Sequence, residues 1–219
     1  MTQKIRLLFP LFFLLLLYAA SAQDPGRFKD DIEKLSQKEY AFSGNKELVV
    51  FAGSSSVRRW KDVQDYFSGY HVINNGFGGS HFSDLIHYYD PLILKHKPDY
   101  LFIYEGDNDI AGNKSPREVM RDAKELHRKI RKDLPHTEII FISPKPSVRR
   151  AGLKKEYLAL NKRLERYCKH KKNTRFADVW TAMTDEEGNV YKDIFLADNL
   201  HMNKKGYDIW TKVIAEFLK

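Results

Sequence analysis

The chain has 219 residues, of which 42% are hydrophobic, and it carries a formal net charge of +8. This apolar content favours a packed core over disorder, and the length suits a single domain. The basic residues are scattered rather than gathered in a stripe with exposed aromatics, which argues against nucleic-acid binding. We interpret them, including the pair Arg149-Arg150, as a solvated surface. Cys168 is the single cysteine, so no internal disulfide is expected.

The first 22 residues have the pattern of a secretory signal peptide. Lys4 and Arg6 precede an apolar run at residues 7–17, and Ala20-Ser21-Ala22 has the small-residue pattern of a cleavage site. The run is shorter than the roughly 20 residues needed to span a bilayer, with an uncleaved N-terminal anchor as the alternative. We therefore expect an exported protein, periplasmic or extracellular, with one domain at residues 23–219 and no stable membrane insertion after cleavage.

Beyond the signal, short apolar runs alternate with helical patterns. Five runs rich in β-branched and aromatic residues are typical of buried parallel strands, at residues 48–51, 71–75, 100–104, 138–142 and 174–179. The helical patterns cover residues 57–66, 80–89, 115–132, 153–170 and 204–218. This alternation predicts an α/β fold with a doubly wound parallel sheet.

Polar or glycine-rich segments follow every predicted strand. They are Gly53-Ser54-Ser55-Ser56, Asn75-Gly76-Phe77-Gly78-Gly79-Ser80, Gly106-Asp107-Asn108-Asp109, Ser143-Pro144-Lys145-Pro146-Ser147 and, after a longer loop, Asp198-Asn199-Leu200-His201. Doubly wound sheets bind ligands beyond the carboxyl ends of their strands. We therefore expect these segments to meet in one crevice.

The pattern Asp-x-x-His occurs three times, and one occurrence suits the activation of a serine. A serine becomes a nucleophile when a base, usually histidine, takes its proton and a third group orients that base. Asp198 and His201 lie on a loop after the last strand. The pair at Asp133–His136 precedes the fourth strand and should lie at the opposite end of the sheet. The pair at Asp84–His87 falls on a predicted helix, where we interpret it as an exposed pair.

Two segments offer hydrogen-bond donors to the oxyanion of an acyl-transfer reaction. Gly76, Gly78 and Gly79 would let backbone N–H groups approach a ligand, and the Asn108 amide follows the third strand. Taken alone, each segment is better explained as an ordinary turn.

Together, four segments resemble the SGNH hydrolases, also called the GDSL esterase family, which is named for a serine, a glycine, an asparagine and a histidine on four separate blocks. The family's Gly-Asp-Ser corresponds to Gly53-Ser54-Ser55, and its Asn-x-Gly-x-x-Gly corresponds to residues 74–79. Its Gly-x-Asn-Asp corresponds to residues 106–109, and its Asp-x-x-His to residues 198–201. The order and spacing agree over residues 48–207. The form of the second block is most similar to the short-chain acetylhydrolase branch, which includes platelet-activating-factor acetylhydrolase.

The resemblance implies a three-layer α/β/α flavodoxin-like sandwich with a five-stranded parallel sheet. It makes Ser55 the nucleophile, His201 the base and Asp198 its orienting acid. It places the oxyanion hole at the N–H groups of Ser55 and Gly79 and the side chain of Asn108. No metal or cofactor is implied. Ser54 replaces the family's aspartate, and Ser54 and Ser56 remain alternatives for the nucleophile.

These expectations describe a secreted serine esterase that acts on a small ester. No long insertion could form a lid or an acyl tunnel, so we expect short acyl groups, above all acetyl on a carbohydrate. The alternatives are a lysophospholipase-like esterase, an O-acyltransferase and a non-catalytic glycan-binding module. In that module, aromatic residues would stack on sugars, and the candidates are Trp60, Phe77, Phe82 and Trp180.

Overall fold

A computed structural model describes residues 24–218, so the predicted signal peptide lies outside the described residues. No helix in this part of the chain is long and apolar enough to cross a membrane.

Five parallel strands form the central sheet. They are β1 (Leu48–Gly53), β2 (His71–Gly76), β3 (Tyr100–Tyr104), β4 (Glu138–Ile142) and β5 (Thr174–Ala177). Their order across the sheet is β2-β1-β3-β4-β5, and each neighbouring pair is parallel. This is the strand order of flavodoxin-like folds, and it confirms the predicted fold class.

Helices cover both faces of the sheet. They are α1 (Lys29–Ser36), α2 (Ser55–Arg59), α3 (Val63–Tyr66), α4 (Phe82–His87), α5 (Tyr89–Leu92), α6 (Asp107–Ala111), α7 (Pro116–Asp133), α8 (Lys154–Lys169), α9 (Val179–Ala182) and α10 (Lys204–Ala215). Single 3-10 turns lie at Pro25–Phe28, Leu94–His96, Ala151–Leu153 and Lys192–Ile194.

The two faces of the sheet bury two separate cores because strand side chains alternate in direction. On β1, Val50 and Ala52 join the core that also contains helices α4, α5, α7 and α8, whereas Val49 and Phe51 join the core packed by α2, α3 and α10. On β3, Leu101 and Phe102 divide between the cores in the same way. Both faces are therefore apolar, which explains the near-continuous apolar runs in the sequence.

Several predicted elements have boundaries that differ from those in the structure. The helix predicted over residues 57–66 is broken at Trp60, whose ψ of 68° is not helical, into α2 and α3. The helix predicted over residues 80–89 begins later and continues as α5. The fifth strand stops at Ala177, because the Asp178 side chain accepts the N–H of Thr181 and caps α9.

After β1 the chain continues to β2 on one side, and it then crosses to β3 on the other side of β1. The strand order therefore reverses between β1 and β3. Such a switch point opens a crevice at the carboxyl ends of the strands. Gly53 ends β1 with a φ of +134°, and a Cβ there would lie 2.1 Å from the carbonyl oxygen of Tyr104. Glycine is required at this close approach of β1 to β3, directly before the three serines.

Candidate active site

The carboxyl ends of the strands carry the segments that the sequence singles out. Ser55 begins α2 directly after β1, and Asn108 lies in the first turn of α6 after β3. Gly79 lies between β2 and α4, and Asp198 and His201 lie on the loop before α10. The structure brings these segments to one edge of the sheet, at the switch point.

A chain of hydrogen bonds links Ser55, His201 and Asp198. The Nε2 atom of His201 lies 3.1 Å from the Oγ atom of Ser55, and its Nδ1 atom lies 2.6 Å from Oδ2 of Asp198. Both distances are within hydrogen-bond range. With the Nδ1 proton directed at Asp198, Nε2 is free to accept a proton from Ser55.

Asp198 also shapes the loop that carries His201. Its Oδ1 atom accepts the backbone N–H groups of Leu200 at 3.0 Å and of His201 at 2.9 Å. Asn199, between them, has a φ of +57°, a left-handed conformation that asparagine tolerates. Partial burial alone would raise the pKa of Asp198, but the hydrogen bonds from His201 and Leu200 outweigh it and lower that pKa well below its ordinary value. Asp198 is therefore an anion at neutral pH.

The three neighbouring serines have different surroundings. Ser54 is 1% exposed, and its Oγ atom accepts an N–H of Asn108 at 2.6 Å. Ser56 is 2% exposed, and its carbonyl oxygen accepts the hydroxyl of Tyr207. Of the three, Ser55 has its hydroxyl within hydrogen-bond distance of His201.

The predicted oxyanion donors lie on segments that follow β1, β2 and β3. The Nδ2 atom of Asn108 donates to Ser54 Oγ and, at 3.0 Å, to the carbonyl oxygen of Ser80. Gly79 is exposed, with a φ of +86°, and a Cβ there would meet open space. The N–H of Ser55 belongs to the first turn of α2, where it has no intrahelical acceptor. An oxyanion at Ser55 would take one N–H of Asn108 from its present partner.

A buried acid supports the turn that carries Gly79. The hydroxyl of Ser80 donates to Oε1 of Glu105 at 2.6 Å, and both side chains are fully buried. Burial raises the pKa of Glu105 well above its ordinary value, and the neighbouring Asp109 carboxylate raises it further.

Sequence reasoning missed a cluster of buried charges next to Asn108. Asp107 is 6% exposed and pairs with Arg150, and Lys145, which is 1% exposed, lies 3.8 Å from its other oxygen. The interpretation of Arg150 as solvated surface is therefore wrong, because its guanidinium is folded inward onto Asp107 and Asn108. The signal in the sequence was Lys145, a charged residue three positions after the end of the buried strand β4.

The other two Asp-x-x-His pairs lie elsewhere. His136 lines a cavity of about 640 Å³ at the amino ends of β1, β3 and β4, and this cavity includes no residue of the Ser55 site. The expectation that Asp84 is exposed is wrong: it is 1% exposed and accepts the N–H of His81, which caps α4. His87 is exposed and packs edge-on against Tyr88.

The aromatic residues proposed to stack on sugars belong to the two cores. Trp60, Phe77, Phe82 and Trp180 are each at most 8% exposed. A stacking surface needs an exposed ring face, so these four residues do not supply one. Among residues 24–218, no group of three or more His, Cys, Asp or Glu side chains is placed to hold a metal ion.

An α/β/α sandwich with its serine, glycine, asparagine and histidine segments at the switch point has the architecture of the SGNH hydrolases. The model of the GDSL-like lipase/acylhydrolase family matches residues 47–209, and the chain belongs to this family. Family membership implies that it is an ester hydrolase. No curated protein matches the sequence.

Solved structures share the fold at low sequence identity. A Streptococcus pneumonia protein named after platelet activating factor is 20% identical, with a TM-score of 0.75 over 89% of this chain and 92% of that one. A GDSL-like lipase from Bacteroides thetaiotaomicron is 19% identical, with a TM-score of 0.69 over 89% and 96%. A catalytic mutant of an acetylxylan esterase from Geobacillus stearothermophilus is 16% identical, with a TM-score of 0.67 over 80% and 94%. These likenesses concern the fold.

Proposed function

We propose that the protein is a serine esterase in which Ser55, His201 and Asp198 form the catalytic triad. The observation that carries this proposal is the continuous chain from Asp198 Oδ2 through the imidazole of His201 to Ser55 Oγ, with contacts of 2.6 and 3.1 Å. The Ser54 hydroxyl is buried and accepts from Asn108, and Ser56 is buried, which favours Ser55 as the nucleophile.

In the acylation half, Ser55 Oγ attacks the ester carbonyl carbon while His201 Nε2 takes the hydroxyl proton. The negative charge on the carbonyl oxygen is stabilised by the N–H groups of Ser55 and Gly79 and by the Asn108 amide. The imidazolium, paired with Asp198, then gives its proton to the leaving alcohol, and an acyl-Ser55 ester remains. Water, activated by His201, repeats the same steps and releases the carboxylic acid.

We propose a short acyl group, above all acetyl, carried by a carbohydrate. The loop before α10 is long, but the side chain of Asp198 within it is 40% exposed, which supports an open site rather than one enclosed in a tunnel. A fold neighbour that is an acetylxylan esterase supports an acetylated glycan as the first substrate to test. A lysophospholipid is the competing ester, and a sugar hydroxyl in place of water would make the same triad an O-acyltransferase.

We also propose that the protein acts outside the cytoplasm, with residues 1–22 as its cleaved export signal and residues 23–219 as the mature esterase. The basic start, apolar run and small-residue site of residues 1–22 support this. N-terminal sequencing of the secreted protein should begin at Gln23. A protein that retains Met1 in the cytosolic fraction would contradict export without affecting the esterase proposal.

The decisive experiment compares Ser55→Ala with Ser56→Ala on p-nitrophenyl acetate. Loss of a triad nucleophile typically removes more than about 10⁴-fold from kcat, so the Ser55 variant should be inactive while it keeps its melting temperature. The Ser56 variant should keep activity within a few-fold. A fluorophosphonate probe should label the wild-type peptide that contains Ser55 and fail to label Ser55→Ala. An active Ser55→Ala beside an inactive Ser56→Ala would reassign the nucleophile.

A further inference from the structure

The Asp107 carboxylate is the centre of a buried polar cluster that borders both halves of the proposed site. Its Oδ1 atom accepts the hydroxyl of Tyr157 at 3.0 Å and an N–H of Arg150, and its Oδ2 atom accepts the hydroxyl of Tyr104 at 2.8 Å. Lys145 Nζ lies 3.8 Å from Oδ2. Burial alone would raise the pKa of Asp107, but the Lys145 and Arg150 cations outweigh it and hold that pKa below its ordinary value.

Arg150, one of the two cations, contacts Asn108, a predicted oxyanion donor. While Nη1 of Arg150 holds Asp107, its Nη2 atom donates to Oδ1 of Asn108 at 3.0 Å. A guanidinium presents its donors in one rigid plane, so a single side chain can hold both groups. With Oδ1 fixed by Arg150, the Nδ2 group of Asn108 must point the other way, toward Ser54.

Lys145, the other cation, contacts the loop that carries His201. Lys145 Nζ donates to the carbonyl oxygen of Leu200 at 2.7 Å, and Leu200 lies between Asp198 and His201. Lys145 is 1% exposed, so its charge is compensated by protein groups rather than by water. The contact fixes the backbone of the loop next to the residue that must lie within reach of Ser55.

Resting on the proposed function, we propose that Asp107, Arg150 and Lys145 are positioning residues for ester hydrolysis. Asp107 fixes the two cations, Arg150 aims the Asn108 amide at the oxyanion, and Lys145 holds the loop of His201 against Ser55. A buried ion cluster is a poor source of stability, since desolvation of its charges offsets their attraction. Its contribution here is to connect two groups of the proposed site, Asn108 after the central strand β3 and the His201 loop beyond the edge strand β5.

The first test replaces Arg150 with lysine, because Arg150→Lys keeps the charge beside Asp107 and loses the second donor to Asn108. We expect kcat on p-nitrophenyl acetate to fall about tenfold or more with KM unchanged, as for the loss of a hydrogen bond to a charged group. The adjacent exposed Arg149→Lys is the matched control and should behave as wild type. In an Asn108→Ala background, Arg150→Lys should cost less than twofold, because its effect passes through that amide. Equal losses in both backgrounds would overturn the role of Arg150.

A second measurement does not depend on activity. The side-chain amide signals of Asn108 in ¹⁵N NMR spectra, assigned by their absence in Asn108→Ala, should exchange with solvent about tenfold faster in Arg150→Lys, since one fixed orientation is lost. If wild-type protein hydrolyses no ester, the proposed esterase function fails, and this measurement still decides the positioning of Asn108. Unchanged exchange in Arg150→Lys would overturn that positioning.

The same logic tests Lys145. Lys145→Met removes the donor to Leu200 and leaves Asp107 paired with Arg150. We expect an approximately tenfold loss of kcat that is absent in an Asp198→Ala background, because both changes loosen the same loop. Additive losses from Lys145→Met and Asp198→Ala, or no loss from Lys145→Met in a folded protein, would overturn the role of Lys145.

Discussion

Replacing Asp198 with asparagine should damage catalysis more than replacing it with alanine. In Asp198→Asn, the side-chain oxygen can keep its hydrogen bonds to the N–H groups of Leu200 and His201, which lie 3.0 and 2.9 Å away. Its NH₂ group then lies 2.6 Å from Nδ1 of His201 and donates to it. The imidazole proton is forced onto Nε2, which can no longer accept the proton of Ser55.

The size of the effect follows from the contacts that must be given up. The productive tautomer returns only if the side-chain amide of the asparagine variant rotates so that its oxygen faces His201. This rotation breaks the two hydrogen bonds to the backbone N–H groups, at about 1 kcal/mol each, so roughly one molecule in 30 has the tautomer that catalysis needs. Loss of the anion beside the imidazolium costs about a further tenfold, taken at the low end because Asp198 is 40% exposed. Together, kcat of Asp198→Asn should fall about 300-fold. Asp198→Ala does not force the imidazole of His201 into either tautomer, so its kcat should fall only about 10- to 30-fold.

The assay is kcat for both variants on p-nitrophenyl acetate, with melting temperatures as the control for folding. Asp198 is exposed enough for water to satisfy the backbone N–H groups in the alanine variant, so both proteins should fold. An asparagine variant as active as the alanine variant would refute the tautomer argument. Near wild-type activity in both would show that Asp198 does not orient His201.

Four further outcomes are expected. Ser54→Ala should lower kcat about two- to tenfold, because the Asn108 amide loses one of its two acceptors and keeps the carbonyl oxygen of Ser80; a variant without activity would make Ser54 essential. His136→Ala should leave kcat unchanged, since this residue lies at the amino ends of the strands, and a large loss would contradict the placement of the site. Hydrolysis rates of p-nitrophenyl esters should fall steeply from acetyl to octanoyl, whereas an octanoyl preference would favour the lysophospholipid substrate. Gly53→Ala should unfold the protein or lower its melting temperature by many degrees, because its Cβ would overlap the carbonyl of Tyr104; a wild-type thermal melt would disprove that clash.

Strands β1, β3 and β4 were predictable because they are buried on both faces and leave near-continuous apolar runs in the sequence. The start of helix α7 was predictable for a local reason. The Ser115 hydroxyl accepts the N–H of Glu118, and the Glu118 carboxylate accepts the N–H of Ser115, which is a capping box. The break at Trp60 was not predictable, since tertiary burial of its ring, 0% exposed, decides where the chain turns. Helix propensity alone carries no such information.

Within the site, the sequence indicated which segments converge, because chain order places all of them after strands. It did not indicate which polar groups pair across long separations. Arg150 and Asp107 are 43 residues apart, so nothing in the neighbourhood of Arg150 distinguishes it from the exposed Arg149. The burial of Asp84 was hidden for the same reason, since its distant partner Arg27 lies in the N-terminal segment.

The contact between Ser55 and His201 closes a separation of 146 residues. Ser55 follows the interior strand β1, whereas His201 comes after the edge strand β5 and the long loop that follows it. Regain of ester hydrolysis during refolding should therefore lag behind the return of helical circular dichroism, since contacts of high sequence separation form slowly. Ester hydrolysis would then report the docking of the C-terminal part of the chain, and a chain that ends before Asp198 would show none, because it lacks two members of the proposed triad.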